Sequence, residues 1–152
     1  MKGSHRIIVE SRKVKYDFTV KRNITILTGD SGSGKTVLME LIRDYRRYGA
    51  DSGVQVSCDC ECRTIENEDW ERTIQEASPC IFFIDEGNRF LYTKNFARAV
   101  QQSEHYFVIA TREKLPMLPY SMNEIYGFRK SGKFHEAKQT YNEICLLYTS
   151  PS

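Results

Sequence analysis

Apolar residues recur along this chain with two periods, and the places where one gives way to the other mark its elements. Val14, Tyr16, Phe18 and Val20 alternate with Lys13, Lys15, Asp17 and Thr19, the period of two expected of a strand with one buried face. Residues 6 to 10 predict a strand just before it, and Lys21-Arg22-Asn23 a turn just after it. Apolar runs at residues 24 to 27, 80 to 84 and 105 to 110 read as further strands, and the four consecutive apolar residues 81 to 84 describe one covered on both faces. A helical period takes over at Val37, Leu38, Leu41, Ile42, Tyr45 and Tyr48, with Gly49 where a C-terminal cap is expected. A second helix is predicted behind an Asn67 cap, with Glu68 and Asp69 in its first turn and Trp70, Ile74 and Ala77 inward; Trp70 is read as core. Thr93 caps a third, with Phe96, Ala97 and Val100 inward. Val54, Val56, Cys58, Cys60 and Cys62 share one parity while Gln55, Ser57, Asp59, Glu61 and Arg63 share the other, which predicts a single strand with an apolar face. Gly87-Asn88 turns the chain, Pro116 and Pro119 mark a loop, and residues 124 to 130 and 133 to 141 about Ser131-Gly132 read as a hairpin.

Chemistry gathers at two junctions of this pattern. Gly29, Asp30, Ser31, Gly32, Ser33, Gly34, Lys35 and Thr36 fit G-x-x-x-x-G-K-[ST] at every fixed position, after a strand and before an amphipathic helix. Such a loop curls backbone N–H groups round phosphates, while Lys35 reaches the β- and γ-phosphates and the Thr36 hydroxyl ligates Mg²⁺. The helix beginning near Lys35 adds its unsatisfied N–H groups and positive dipole end. The second junction is Asp85-Glu86 at the end of the buried run, on the edge where an open α/β sheet places its ligands. Asp85 is placed to hold Mg²⁺ opposite Thr36, and Glu86 to orient and deprotonate an attacking water.

The loop GDSGSGKT, the strand IFFIDE and the later strand HYFVIA, which ends in Thr111-Arg112, resemble the additional-strand, catalytic-glutamate division of P-loop ATPases over residues 24 to 112. The resemblance implies an α/β fold, the P-loop NTPase three-layer sandwich, with a central mostly parallel sheet. To this the pattern adds N-terminal antiparallel strands and a C-terminal hairpin. It also implies Mg-ATP as ligand and a polar sensor of the γ-phosphate at Thr111. The leading strand pair is similar to the start of ABC, SMC and RecF-like heads, though no LSGGQ-like signature occurs, and Ile84-Asp85-Glu86 followed by Arg89-Phe90 is similar to the Zot-like ATPases of filamentous phages. GTPases are disfavoured: Asp85-Glu86-Gly87-Asn88 lacks the Gly of D-x-x-G, and no N-K-x-D follows the sensor strand. The expectation is an ATP-hydrolysing module, with a small-molecule or nucleotide kinase and a non-hydrolysing switch as alternatives. Its γ-phosphate charge calls for help, so Arg112, or else Arg89, is expected to act as an arginine finger through self-association or a partner protein.

Composition narrows the rest. A chain of 152 residues fits one domain, and 40% hydrophobic with 28% charged residues is ordinary for a soluble protein. A net charge of +2 makes no global case for nucleic acid, although residues 1 to 22 hold seven basic side chains against two acidic ones. No membrane span or export signal is read, so the cytoplasm is expected. The five cysteines, Cys58-x-Cys60-x-Cys62 among them, are read as small hydrophobes rather than metal ligands because C-x-C is not the spacing of common zinc sites, and His5, His105 and His135 are scattered. Residues 145 to 152 match the translation of a transposase adapter used in sequencing libraries, so the ATPase domain is expected to occupy residues 1 to 144 and to continue beyond them natively.

Overall fold

The computed structural model describes residues 2–29, 34–66, 68–131 and 134–139. β1 (His5–Glu10) and β2 (Lys15–Val20) pair antiparallel, with Ile7 opposite Phe18. The alternation of β2 is realised in full: Tyr16, Phe18 and Val20 are buried while Thr19 is exposed. β3 (Ile24–Leu27) precedes the glycine-rich motif, and α1 (Lys35–Tyr48) begins at its lysine. Then follow β4 (Gln55–Ser57), β5 (Cys62–Thr64), α2 (Trp70–Glu76), β6 (Ile81–Ile84), α3 (Lys94–Gln102) and β7 (Tyr106–Ala110). β8 (Ile125–Ser131) and β9 (Phe134–Gln139) form the expected hairpin.

The strands join in one sheet in the order β4-β1-β2-β9-β8-β3-β7-β6-β5. Five of them, β8-β3-β7-β6-β5, run parallel, and β4-β1-β2 run antiparallel. The hairpin is the seam, because β9 pairs antiparallel with β8 and parallel with β2. β3, β6 and β7 are buried along their whole length, as their predominantly apolar runs require when helices cover both faces, with Thr25 the one polar exception of β3. Their side chains divide by parity. Leu27, Ile81, Phe83, Val108 and Ala110 pack with Leu38, Met39 and Ile42 of α1. Ile24, Ile26, Phe82, Ile84, Phe107 and Ile109 pack on the other face with Ile74 of α2 and Phe96, Ala97 and Val100 of α3.

The sheet is curled, and the chain length forces it. β4 and β5 are its two edges, yet only Cys58 to Glu61 separate them in sequence. Five Cα steps reach about 18 Å, whereas the edges of a flat nine-stranded sheet would stand about 38 Å apart. The edges therefore bend towards each other around α1, whose core also includes Ile7, Val9, Tyr16, Val54 and Cys62.

Three expectations are corrected. Residues 54 to 62 are not one strand: β4 ends at Ser57 and β5 starts at Cys62, each pairing with a different neighbour, because parity alone cannot tell one strand from two joined by a polar crossing. The buried stripe of α1 is Lys35, Leu38, Met39 and Ile42, an i, i+3, i+4, i+7 set that has a lysine as its first member. Val37, Tyr45 and Tyr48 lie outside it, with Tyr48 56% exposed. α2 begins at Trp70 with Asp69 at its N-cap, where the indole stacks on Phe90 at 5.3 Å; Asn67 lies outside the described residues. Among the described residues no helix is long and apolar enough to cross a membrane.

Candidate functional site at the carboxyl ends of three parallel strands

β3, β7 and β6 are consecutive neighbours, with Leu27 beside Ala110 and Ile84 beside Ile109. Their carboxyl ends open onto one edge, and each supplies one part of the predicted site. Gly29 follows β3, Asp85-Glu86 follow β6 and Thr111-Arg112 follow β7, whose end is tied back to β3 by the Thr111 N–H donating to the Leu27 carbonyl at 2.9 Å. The strand before the glycine-rich motif and the acid-bearing strand thus do not touch; β7 lies between them.

Gly34 caps α1 with φ of 100°, a left-handed conformation that a side chain would strain. Its carbonyl accepts the Tyr16 hydroxyl at 2.8 Å, so the mouth of the helix is braced from β2. No acidic residue occupies the first turn of α1 and Arg46-Arg47 close its last, which leaves its N-terminal end electropositive. Lys35 is only 3% exposed, and its ammonium donates to the Gly29 carbonyl across the loop. Thr36 is exposed beside it. Asp30, Ser31, Gly32 and Ser33 lie outside the described residues.

Opposite stands the acid pair. Asp85 accepts the Glu86 N–H at its Oδ1 (2.9 Å), and its carbonyl accepts the Asn88 amide at 2.8 Å, while Gly87 takes φ of 102° to complete the turn. Burial raises the Asp85 carboxyl above the ordinary carboxylate range, as does the neighbouring Glu86 charge; the Glu86 N–H, Lys35 and Arg43 pull the other way. Glu86 is held from β7: the Arg112 N–H donates to its Oε2 at 3.2 Å, and the Arg112 guanidinium lies 3.7 Å from Oε1.

Within this chain Arg112 pairs with Glu86, and the nearer acid in sequence, Glu113, accepts the Tyr92 hydroxyl at 3.0 Å. Thr111 is 2% exposed and its hydroxyl closes a small turn, accepting the Glu113 N–H and donating to the Glu113 carbonyl. Arg89 stands in the 3₁₀ turn after the acids, exposed. The Tyr16 brace and the Arg112 contact with Glu86 carry no sequence motif, since each joins residues distant along the chain. The helix face of Arg43 and Arg46 is satisfied from the β5 segment by Glu66 and Glu61 rather than by neighbours on the helix.

The chain matches no protein-family model, and no curated protein or solved structure matches it.

Proposed function

We propose that this protein binds ATP with Mg²⁺ and hydrolyses it, coupling the cycle to a conformational change in a partner or in further sequence. One observation carries the reading: the Gly34-Lys35-Thr36 helix mouth, the Asp85-Glu86 turn and the Thr111-Arg112 turn converge on one edge, at the carboxyl ends of adjacent parallel strands. The intervening strand β7 supports the additional-strand, catalytic-glutamate resemblance, because it separates the loop strand from the acid strand.

The residues present fit the ligands. An almost buried lysine at an electropositive helix mouth offers its charge to phosphate oxygens in place of the Gly29 carbonyl. Mg²⁺ held by the Thr36 hydroxyl and Asp85 would supply neutralisation of phosphate charge, and Asp85 gains from it because its carboxylate is poorly solvated. Glu86, fixed at both oxygens by Arg112, is positioned to orient and deprotonate a water. Thr111 stands at the same edge as a γ-phosphate sensor.

Calorimetric titration with Mg-ATP and Mg-GTP, followed by phosphate release with and without candidate acceptors, tests this. ATP is expected to bind the more tightly, and phosphate release is expected to need no acceptor; transfer to an acceptor would mean a kinase. Lys35→Ala should abolish binding or turnover, and an unaffected variant would remove the loop as the nucleotide site. Glu86→Gln should keep ATP affinity and lower turnover on the order of 10²-fold or more; undiminished turnover would take the base role from Glu86.

A further inference from the structure

Away from the nucleotide edge, the crossing from β4 to β5 meets the first residue of β1. His5 and Tyr106 meet edge-on at 5.3 Å, and Tyr106 opens β7, so this corner lies at the amino ends of the parallel strands, opposite the site above. Among the described residues, His5, Asp59 and Cys60 offer ligand atoms that all lie within 4.8 Å of one another. His5 Nδ1 stands 2.7 Å from Asp59 Oδ1 and 4.0 Å from Cys60 Sγ. Cys58 Sγ lies at the edge of this group, 3.7 Å from Cys60 Sγ and 3.8 Å from Asp59 Oδ1 but outside the 4.8 Å that joins the other three.

Those separations can be set against four of the six edges of a coordination tetrahedron. With metal–sulfur bonds of about 2.3 Å and metal–nitrogen or –oxygen bonds of about 2.0 to 2.1 Å, a tetrahedral zinc ion sets sulfurs about 3.8 Å apart and a sulfur about 3.6 Å from an oxygen or nitrogen. Three of these four separations already lie within a few tenths of an ångström of these values, and closing the remaining edges requires the Cys58 sulfur to swing inwards. The fourth, between His5 and Asp59, is a hydrogen bond that opens by about 0.6 Å when a metal replaces the bridging proton. The other ring nitrogen, His5 Nε2, is buried without a hydrogen-bond partner, so the polar contacts of the ring all point into this group. Asp59 is 66% exposed and leaves an entry for the ion.

We propose that His5, Asp59 and Cys60, joined by the neighbouring Cys58 as the metal draws its sulfur in, form a tetrahedral zinc site that clasps the amino end of β1 to the crossing between the two sheet edges. Two sulfurs, an imidazole and one carboxylate select a borderline-soft ion over Mg²⁺, which demands oxygen ligands in octahedral array. This site is separate from the nucleotide chemistry in place and in metal. Binding is a ligand exchange without redox change: the thiol protons leave to solvent and both sulfurs bind as thiolates. The clasp acts where the sheet must stay curled, since the crossing has only four residues in which to turn from one edge to the other.

The test uses the full chain, reduced and stripped with a chelator, then titrated with zinc chloride or cobalt chloride. One equivalent of zinc per chain is expected, with a rise in melting temperature, and cobalt should give thiolate charge-transfer bands together with the intense visible bands of a tetrahedral ion. Cys58→Ser combined with Cys60→Ser should abolish both signals, whereas Cys80→Ala, a buried thiol beside His105, should leave them. Asp59→Asn, at an exposed position that spares the fold, should weaken zinc binding by about tenfold or more. A reduced wild-type chain that takes up no zinc, a cobalt spectrum without thiolate bands, or zinc retained by the double variant would each overturn the proposal, and the first two need no variant to fold.

Discussion

Under the proposed function, Asp85 concentrates the conflict between stability and metal binding into one side chain. Its carboxyl is raised because burial disfavours the charged form, so in the folded chain it holds its proton to higher pH than in the unfolded chain. Between those two pKa values the folded state binds more protons, and stability falls as pH rises through that window. At neutral pH the ionised Asp85 therefore stands as a net cost to the fold. Asp85→Asn keeps the shape and removes the charge: its urea midpoint at pH 7 is expected to equal or exceed that of the wild type, while Mg²⁺-dependent ATP binding is lost. Lower stability together with retained Mg²⁺ dependence would show that Asp85 is a structural acid. Mg²⁺-dependent binding should also weaken with acidification at a higher pH than for an ordinary carboxylate, because protons and metal compete for the same oxygens.

The helices show how far local chemistry reaches. α3 obeys its sequence pattern throughout: the Thr93 hydroxyl accepts the Phe96 N–H at 3.2 Å, and Phe96, Ala97 and Val100 are buried. Thr93→Ala leaves that N–H without its cap and is expected to lower stability by about 1 kcal/mol in urea unfolding, with ATP affinity unchanged. A cost beyond about 2 kcal/mol would mean that the helix carries more of the core across β6 and β7 than its cap suggests. α1 departs from its pattern because its surroundings choose the face. The curled sheet receives Lys35, Leu38, Met39 and Ile42, and the aromatic Tyr45 and Tyr48 turn outwards, where an amphipathic ring is tolerated. His105 behaves as a core residue, its Nδ1 accepting the Cys80 N–H and its Nε2 donating to the Ile74 carbonyl.

At the scale of the whole molecule, the placement of β7 decides how Arg112 acts. The sequence leaves this residue free to reach across an interface as an arginine finger, but β7 lies beside β6 and brings it onto Glu86 of its own chain. Under the proposed function, Arg112 positions the base in cis rather than acting as a finger. Turnover per chain is expected to be independent of protein concentration, and Arg112→Ala to lower it equally at every concentration. Mixing Arg112→Ala with Glu86→Gln chains should then restore nothing. Turnover that rises steeply with concentration, or activity regained in the mixture, would assign the arginine to a neighbouring subunit instead.

The elements carrying chemistry were legible in the sequence because each is written locally. A strand followed by GDSGSGKT and a helical stripe, an apolar run closed by two acids, and a threonine three residues before an inward phenylalanine all describe contacts within one or two turns of chain. The α/β class came from the resemblance those motifs carry, and the C-terminal hairpin from the pattern of residues 124 to 141. Parity could not tell where residues 54 to 62 change neighbours, since β4 and β5 share one alternation and are separated only by their hydrogen-bonding partners. The seam of β8 and β9 between the parallel and antiparallel strands, the rotation of α1 and the hold of Arg112 on Glu86 all join residues far apart along the chain. So does the meeting of His5 with Cys58, Asp59 and Cys60, which scattered histidines and a C-x-C spacing do not announce. Sequence determined what each segment can bury and which groups it carries; the curl of the sheet, imposed by a four-residue crossing between its two edges, decided which of those groups face one another.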